Sequence, residues 1–272
     1  MTTPPHHEVY AIRYATVDRA ARENFLHPPA APDAPMPMDY FVWLVRGGGR
    51  ALVVDTGFGE DAAARRKRRL LQSPAAGLAA LGVDAASVED VVITHLHYDH
   101  AGQLALFPRA RLHVQDDEVA FATGRAMVHA SIRGAFDGED VAALVRQVHG
   151  GRVRFHDGDA TLGPGISLHR IGGHTRGLQV LRVSTERGWV VLASDATHFA
   201  ANLQTRNPFP IFVDLQAMLE GYDRLLALAS SPDHVVPGHD PEVLRRYPLH
   251  PAGQGEIACL HAAPGPASDP NP

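Results

Sequence analysis

Thr94-His95-Leu96-His97-Tyr98-Asp99-His100-Ala101-Gly102 follows directly on the apolar run Val91-Val92-Ile93. Four residues of metal-ligand type, His95, His97, Asp99 and His100, fall within six positions. On a helix, side chains that share a face recur every three or four residues. Here His95, His97 and Asp99 alternate at two, the spacing of extended backbone. Asp99 and His100 are adjacent, so on a regular element they point apart. A buried strand running out into a loop, with ligands turned toward two points, meets both constraints. Two neighbouring metal ions need that arrangement. A solitary histidine in a loop is ordinary solvated polarity, but four ligands packed this tightly are not.

The rest of the composition narrows the function. With 272 residues, 45% hydrophobic and 20% charged, the chain has the balance of a globular protein large enough for a sizeable core. A formal charge of −5 gives no general attraction to nucleic acid or to an anionic membrane. The single cysteine, Cys259, excludes an internal disulfide and fits a reducing compartment. Any metal must therefore be held by nitrogen and oxygen. The first eight residues lack the cationic and apolar regions of a signal peptide, and no apolar run approaches the roughly 20 residues of a membrane span. A cytoplasmic protein without a nucleic-acid or membrane partner is expected, as a monomer or homodimer. Histidine, at 17 residues, is the outlier.

Outward from the motif, short strands are expected at 9–16, 40–45, 50–54 and 87–94. Pro28, Pro29, Pro32, Pro35 and Pro37 make the stretch from about 20 to 38 an irregular loop, whose Phe25, Leu26, Met36 and Met38 could cover a pocket. Gly47-Gly48-Gly49 reads as a hairpin turn. The following strand ends in Asp55-Thr56-Gly57, where the aspartate is read as structural, closing a turn, and not as a ligand. Residues 61–71 read as a helix carrying Arg65-Arg66-Lys67-Arg68-Arg69, whose charges point all around the axis and are expected to be solvated. Further helices are expected at 75–81, 102–106 and 218–228, with strands at 111–114, 153–156, 165–171, 178–184, 189–193 and 235–236. Residues 116–148 look like a helical insertion in which Met127, His129 and Phe136 pack a core more readily than they face a pocket. The pattern suggests an α/β sandwich of two sheets with helices outside, one domain over residues 1–261, and a disordered Pro/Ala/Gly-rich tail over 262–272.

Three later residues repeat the local signature of the motif. His174 follows Ile171-Gly172-Gly173, Asp195 follows Val190-Val191-Leu192-Ala193, and His239 follows Val235-Val236-Pro237-Gly238. Each is a ligand-type residue at the end of an apolar run. With the motif they make five histidines and two carboxylates. One tetrahedral zinc needs three protein ligands and a water, so seven suit two ions sharing a bridging carboxylate. The donor set accommodates zinc, iron, cobalt or manganese.

This pattern, His95-x-His97-x-Asp99-His100 followed by His174, Asp195 and His239, resembles the metallo-β-lactamase superfamily over residues from about 40 to 240. The stretches at 95–102, 172–177 (Gly-Gly-His-Thr-Arg-Gly) and 194–198 (Ser-Asp-Ala-Thr-His) are most similar to its N-acyl-homoserine lactonase branch and to the 4-pyridoxolactonases. The resemblance implies the αββα sandwich, with two mixed sheets face to face and helices on both outer faces. It implies two divalent metal ions, most simply zinc. His95, His97 and His174 would hold one, Asp99, His100 and His239 the other, and Asp195 would bridge. Asp99 would also carry a proton to the leaving alkoxide. The chain departs from the lactonase pattern at His198, where those enzymes carry a tyrosine directed at the substrate carbonyl; His198 is expected to be catalytic in its place, donating a hydrogen bond with a different reach and charge.

The expected reaction is hydrolysis of a lactone, an N-acyl-homoserine lactone first (quorum quenching) and 4-pyridoxolactone or another cyclic or linear ester as alternatives. Two cations lower the pKa of a shared water toward neutrality, so no serine or cysteine nucleophile is required. Phe107, Phe199 and Phe209 are candidates for an acyl pocket. A glyoxalase II-like thioesterase, a nuclease and an iron-dependent sulfur dioxygenase are competing readings. The first two are disfavoured by the short chain after His239 and the missing basic groove; the dioxygenase stays open, and one iron per chain would distinguish it from a binuclear hydrolase.

Overall fold

The computed structural model describes residues 4–266. Its strands are β1 (Glu8–Val17), β2 (Met38–Gly47), β3 (Arg50–Val54), β4 (Arg69–Leu70), β5 (Asp90–Val92), β6 (Arg111–Gln115), β7 (Val153–His156), β8 (Ala160–Gly163), β9 (Ile166–Arg170), β10 (Gln179–Thr185), β11 (Gly188–Ser194), β12 (Val235–Pro237) and β13 (Ile257–Cys259). Eight of them form one sheet in the order β13-β1-β2-β3-β5-β6-β7, with β4 paired to β1. The other five form a second sheet, β12-β11-β10-β9-β8. Both are mixed: β3, β5, β6 and β7 run parallel, as do β11 and β12, and the remaining pairs are antiparallel.

The alternation of side chains explains why the sheets stack. From β1, Val9 and Ala11 join Phe41, Trp43, Val54 and Val92 of their own sheet and Leu168, Leu181, Val183, Val190 and Leu192 of the other in one apolar layer. The intervening Tyr10, Ile12 and Tyr14 face the opposite way, toward the helices. On the far side of the second sheet, Val180, Val191 and Ala193 pack on Met218, Tyr222 and Leu225.

The helices are α1 (Glu60–Arg66), α2 (Pro74–Ala80), α3 (Tyr98–Ala101), α4 (Asp116–Ala122), α5 (Ala130–Arg133), α6 (Gly138–His149), α7 (Ala200–Thr205), α8 (Leu215–Leu228) and α9 (Glu242–Arg246). Local chemistry starts several of them. Ser73 caps α2 through Ala76 N–H and Pro74 occupies its first turn, while Asp137 caps α6 and Asp214 caps α8. Helices thus cover both outer faces, and the four layers are the expected αββα sandwich. Among the described residues no helix is long and apolar enough to cross a membrane.

Two expectations need correction. The basic helix stops at Arg66, where Lys67 turns left-handed (φ 55°), and Arg69–Leu70 then pairs with β1. Its charges are not simply solvated. Arg65 pairs with Asp137 at 2.5 Å, Arg66 donates to the carbonyls of Gly134 and Phe136, and Arg68 donates to the Tyr98 hydroxyl at 3.1 Å. The helix expected at 102–106 instead begins earlier, as α3 within the motif, and only a 3-10 turn forms at Leu104–Leu106. The strand β5 is correspondingly short. Of the tail expected to be disordered, residues 267–272 lie outside the described residues, and Gly265 N–H donates to the Arg246 carbonyl.

Candidate metal centre

Strands β5, β11 and β12 end on the same edge of the sandwich, and the loops leaving them carry the polar residues. His95 and His97 lie on extended backbone beyond β5, with His97 as the N-cap of α3. Asp99 and His100 then sit in the first helical turn, which separates their directions. Two of the strand ends store strain. Asp55, after β3, and Ser194, closing β11, both have positive φ (62° and 44°). Gly238 packs so closely on Ser194 that an added Cβ would lie 2.6 Å from its carbonyl oxygen, so a side chain there would displace the Asp195 turn.

All seven expected ligands are brought together and buried, from 0% exposed at His95 to 7% at Asp99. Their ligand-type atoms converge in overlapping groups: His95, His97, His174 and Asp195; Asp99, His100 and His239; and Asp195, His198 and His239. Asp195 lies between. One oxygen, Oδ2, is 3.1 Å from His174 Nε2 and 3.7 Å from His95 Nε2. Its other oxygen, Oδ1, is 3.0 Å from His239 Nε2 and 3.2 Å from His100 Nε2. Asp99 Oδ2 is 3.7 and 3.8 Å from the Nε2 atoms of His100 and His239.

The hydrogen bonds on the outer side of the rings test whether cations fit. His174 Nδ1–H donates to the Ile211 carbonyl at 2.7 Å, His239 Nδ1–H to the Asp39 carbonyl at 2.8 Å, and His100 Nδ1–H to Asp55 at 2.7 Å. A neutral ring with its proton on Nδ1 turns a lone pair inward at Nε2. Those lone pairs face carboxylate oxygens at about hydrogen-bond distance, acceptor against acceptor, and His95 Nε2 and His100 Nε2 are buried with no hydrogen-bond partner. Cations between them resolve the repulsion. Nitrogen and carboxylate donors of this kind, backed by carbonyls and a carboxylate, suit zinc and similar ions.

The electrostatics agree at His95, His97 and Asp195. Burial, followed by His100 and His97, pushes His95 well below the ordinary histidine value, and burial with His174 does the same to His97. Burial alone would raise Asp195, but His198, His239, His100 and His174 hold its carboxyl well below the usual carboxylate range. Both directions favour the forms that bind metal, neutral imidazole and ionised carboxylate. At His100 and His239 burial lowers the pKa, but Asp195 and Asp99 outweigh it and raise both, so a cation there would have to displace a proton.

His198 does not point away from the cluster. Its Nε2 lies 3.0 Å from Asp195 Oδ2, and its ring stacks on Phe209 with centroids 3.8 Å apart and planes within 6°. Burial takes its pKa down to about 3 against the pull of Asp195. A neutral ring donating from Nε2 keeps only an acceptor at Nδ1, which is buried without a partner. Of the phenylalanines considered for a pocket, Phe209 stacks on His198, Phe199 leads into α7, and Phe107 is fully buried in the core under the helices. Phe136, read as core, sets its ring edge against His97 at 4.6 Å.

The sequence reading missed Glu118. Fully buried at α4, it accepts Leu96 N–H at 2.8 Å, the Thr175 hydroxyl at 2.6 Å and Gly177 N–H at 3.0 Å. One carboxylate thereby ties the His95/His97 segment to the His174 loop. Burial raises its pKa, and these donors oppose the rise. Nothing in the run Asp116-Asp117-Glu118 marks which acid turns inward.

Comparison with known proteins follows the same lines. Residues 36–239 match the family described as the metallo-beta-lactamase superfamily. A probable metallo-hydrolase of Mycobacterium tuberculosis is 26% identical over 213 residues, covering 67% of this chain and 64% of that protein. The N-acyl homoserine lactonase AiiB of Agrobacterium fabrum is 35% identical over 129 residues, 45% of each chain. The chain thus spans less than two thirds of the length of these curated relatives. Among solved structures, an N-acyl homoserine lactone hydrolase with the product N-hexanoyl-L-homoserine at its catalytic metal center superposes with a TM-score of 0.71 at 21% identity, over 89% of this chain and 95% of that one. AidC, a dizinc quorum-quenching lactonase, gives 0.67 at 18% identity over 88% and 90%. These structural likenesses establish the fold. With the match spanning residues 36–239, and with buried histidines and aspartates converging at its strand ends, the chain belongs to the metallo-beta-lactamase superfamily.

Proposed function

We propose that this chain is a metal-dependent hydrolase that opens a lactone to a hydroxy acid, with an N-acyl homoserine lactone as the first substrate to try. The observation that carries the reading is the position of Asp195 between two sets of inward-facing ligands. His95, His97 and His174 are assigned to one divalent ion and Asp99, His100 and His239 to a second, with Asp195 shared and zinc the simplest identity. Ions held there would supply an activated water and polarise the ester carbonyl. The lactonase relatives support the choice of a cyclic ester.

The chain's own residues then have separable tasks. Asp99 is the least buried of the ligands, and its carboxylate is assigned to take the proton of the attacking water and return it to the ring oxygen as the C–O bond breaks. Asp55, Asp39 and Ile211 orient His100, His239 and His174 through their outer nitrogens. His198 is a positioning residue, because its Nε2 is engaged by Asp195. We take residues up to 261 as the catalytic unit.

A pH-indicator assay over lactones, thioesters and phosphodiesters, with metal content measured on the same sample, tests the reading. Lactone turnover with two metal ions per chain is expected. Activity confined to phosphodiesters, or a single iron per chain, overturns it.

A further inference from the structure

Two arginines stand one aromatic ring away from the metal centre, and among the described residues neither has a carboxylate within pairing distance. The Arg19 guanidinium lies over the Phe209 ring at 5.0 Å, and the same ring stacks on His198. The Arg68 guanidinium lies 5.9 Å over Tyr40, whose ring meets His239 edge-on at 5.2 Å. Arg68 Nε also donates to the Tyr98 hydroxyl, which approaches the Tyr40 hydroxyl at 3.4 Å. Tyr98 directly precedes Asp99 in the chain.

Among the described residues no carboxylate lies within 4.0 Å of either guanidinium, although arginines elsewhere in the chain are paired, Arg13 with Asp39 and Glu256 for example. Arg19 Nε is buried with no hydrogen-bond partner, and its Nη2 reaches only the Glu23 carbonyl. Arg68 Nη1 reaches only the Arg66 carbonyl. Glu23 attracts Arg19 only from beyond pairing distance, and the two cations repel each other. The tyrosines between them offer no charge, since a phenol is neutral at pH 7. Asp99 attracts Arg68 only from beyond pairing distance. Half-buried cations with no carboxylate in pairing contact are costly to keep, and an anion that docks between them recovers that cost.

We infer that Arg19 and Arg68 determine specificity by binding a carboxylate carried by the substrate. This rests on the lactonase reading and deepens it: the preferred ring bears an anionic substituent instead of a purely apolar acyl chain. Guanidinium N–H groups make charge-assisted hydrogen bonds to carboxylates, and Arg19 Nε is a buried donor without a partner.

Calorimetric binding to the zinc-loaded enzyme tests this without turnover. The probes are the dicarboxylates from malonate to adipate, each against the monocarboxylate of equal length. One carboxylate is to occupy the metal centre and the second the arginines. At least one dicarboxylate is expected to bind roughly tenfold more tightly than its monocarboxylate. Arg19→Met and Arg68→Met are each expected to cut that preference to about threefold or less, and Arg68→Lys to keep part of it. Metal content and Tm, measured on every variant, verify the fold. Equal binding of the two series, or a preference that survives both methionine variants, overturns the inference. If the preference appears but no lactone is hydrolysed, the anion site stands and the reaction class falls. If lactones are hydrolysed but the two series bind equally, the reverse holds.

Discussion

Asp55 accepts His100 Nδ1–H at 2.7 Å through the same oxygen that takes the Thr94 hydroxyl at 2.8 Å. Its other oxygen takes Thr94 N–H at 2.7 Å. A strained, fully buried aspartate therefore fixes both the start of the motif and the ring of its last histidine. Asp55→Asn is compatible with the left-handed backbone but loses the acceptor for His100. Zinc affinity, measured by chelator competition, is expected to fall about 10- to 100-fold. Asp55→Ala additionally strands the Thr94 donors and is expected to cost about 3–5 kcal/mol in denaturant unfolding. Unchanged zinc affinity in the asparagine variant refutes the orienting role.

His198→Phe preserves the stack on Phe209 and removes the contact with Asp195. The expected signature on a lactone substrate is a fall in kcat of about 10- to 100-fold with KM little changed. A rise in KM alone would instead place His198 against the substrate.

Glu118→Ala leaves three buried donors, Leu96 N–H, Thr175 Oγ1–H and Gly177 N–H, without their acceptor. Each orphaned group costs about 1–3 kcal/mol, so a loss of at least about 3 kcal/mol is expected. Glu118→Gln keeps one acceptor oxygen and should fall between. Denaturant midpoints at constant slope measure both, and a loss under 1 kcal/mol (roughly the effect of a surface change) contradicts the clamp.

Asp140, remote from the metal centre, has its pKa raised from 3.8 to about 7, by burial first and then by Asp137, against Arg65 and Arg66. The folded protein therefore holds this proton more tightly than the unfolded chain. Stability is unaffected below pH 4 and is lost as pH rises from about 4 to 7. Asp140→Asn removes that loss. Because the side chain is partly exposed, a gain of only about 1 kcal/mol is expected at pH 8, with none near pH 4. Thermal melts of both proteins across that range decide it; a gain independent of pH rejects the assignment.

Prolonged treatment with a chelator should lower Tm, and re-addition of zinc should restore it. Ions held at about a thousand times their Kd contribute roughly 4 kcal/mol to the folded state. A Tm that ignores chelation in protein shown to have lost its metal argues against cations at the His95–His239 cluster.

The seven converging candidate ligands were legible from residue type and spacing, because metal chemistry restricts the donors and strand ends bring them to one edge. Two strand-rich stretches, each with helices nearby, likewise implied two stacked sheets. Other features were beyond local reading. The helix over 61–71 ends early because Arg69–Leu70 pairs with a strand more than fifty residues upstream. Glu118 and its neighbouring aspartates are indistinguishable until α4 packs against the His174 loop. His198 differs from the lactonase tyrosine in the sequence, yet only the fold turns it onto Asp195 and stacks Phe209 against it. The same holds for Arg68, which the sequence places in a basic run and the fold places over Tyr40. Composition and spacing decide which chemistry a chain can perform. Which buried charges find partners, and which are left for a ligand, depends on contacts between residues far apart in the chain.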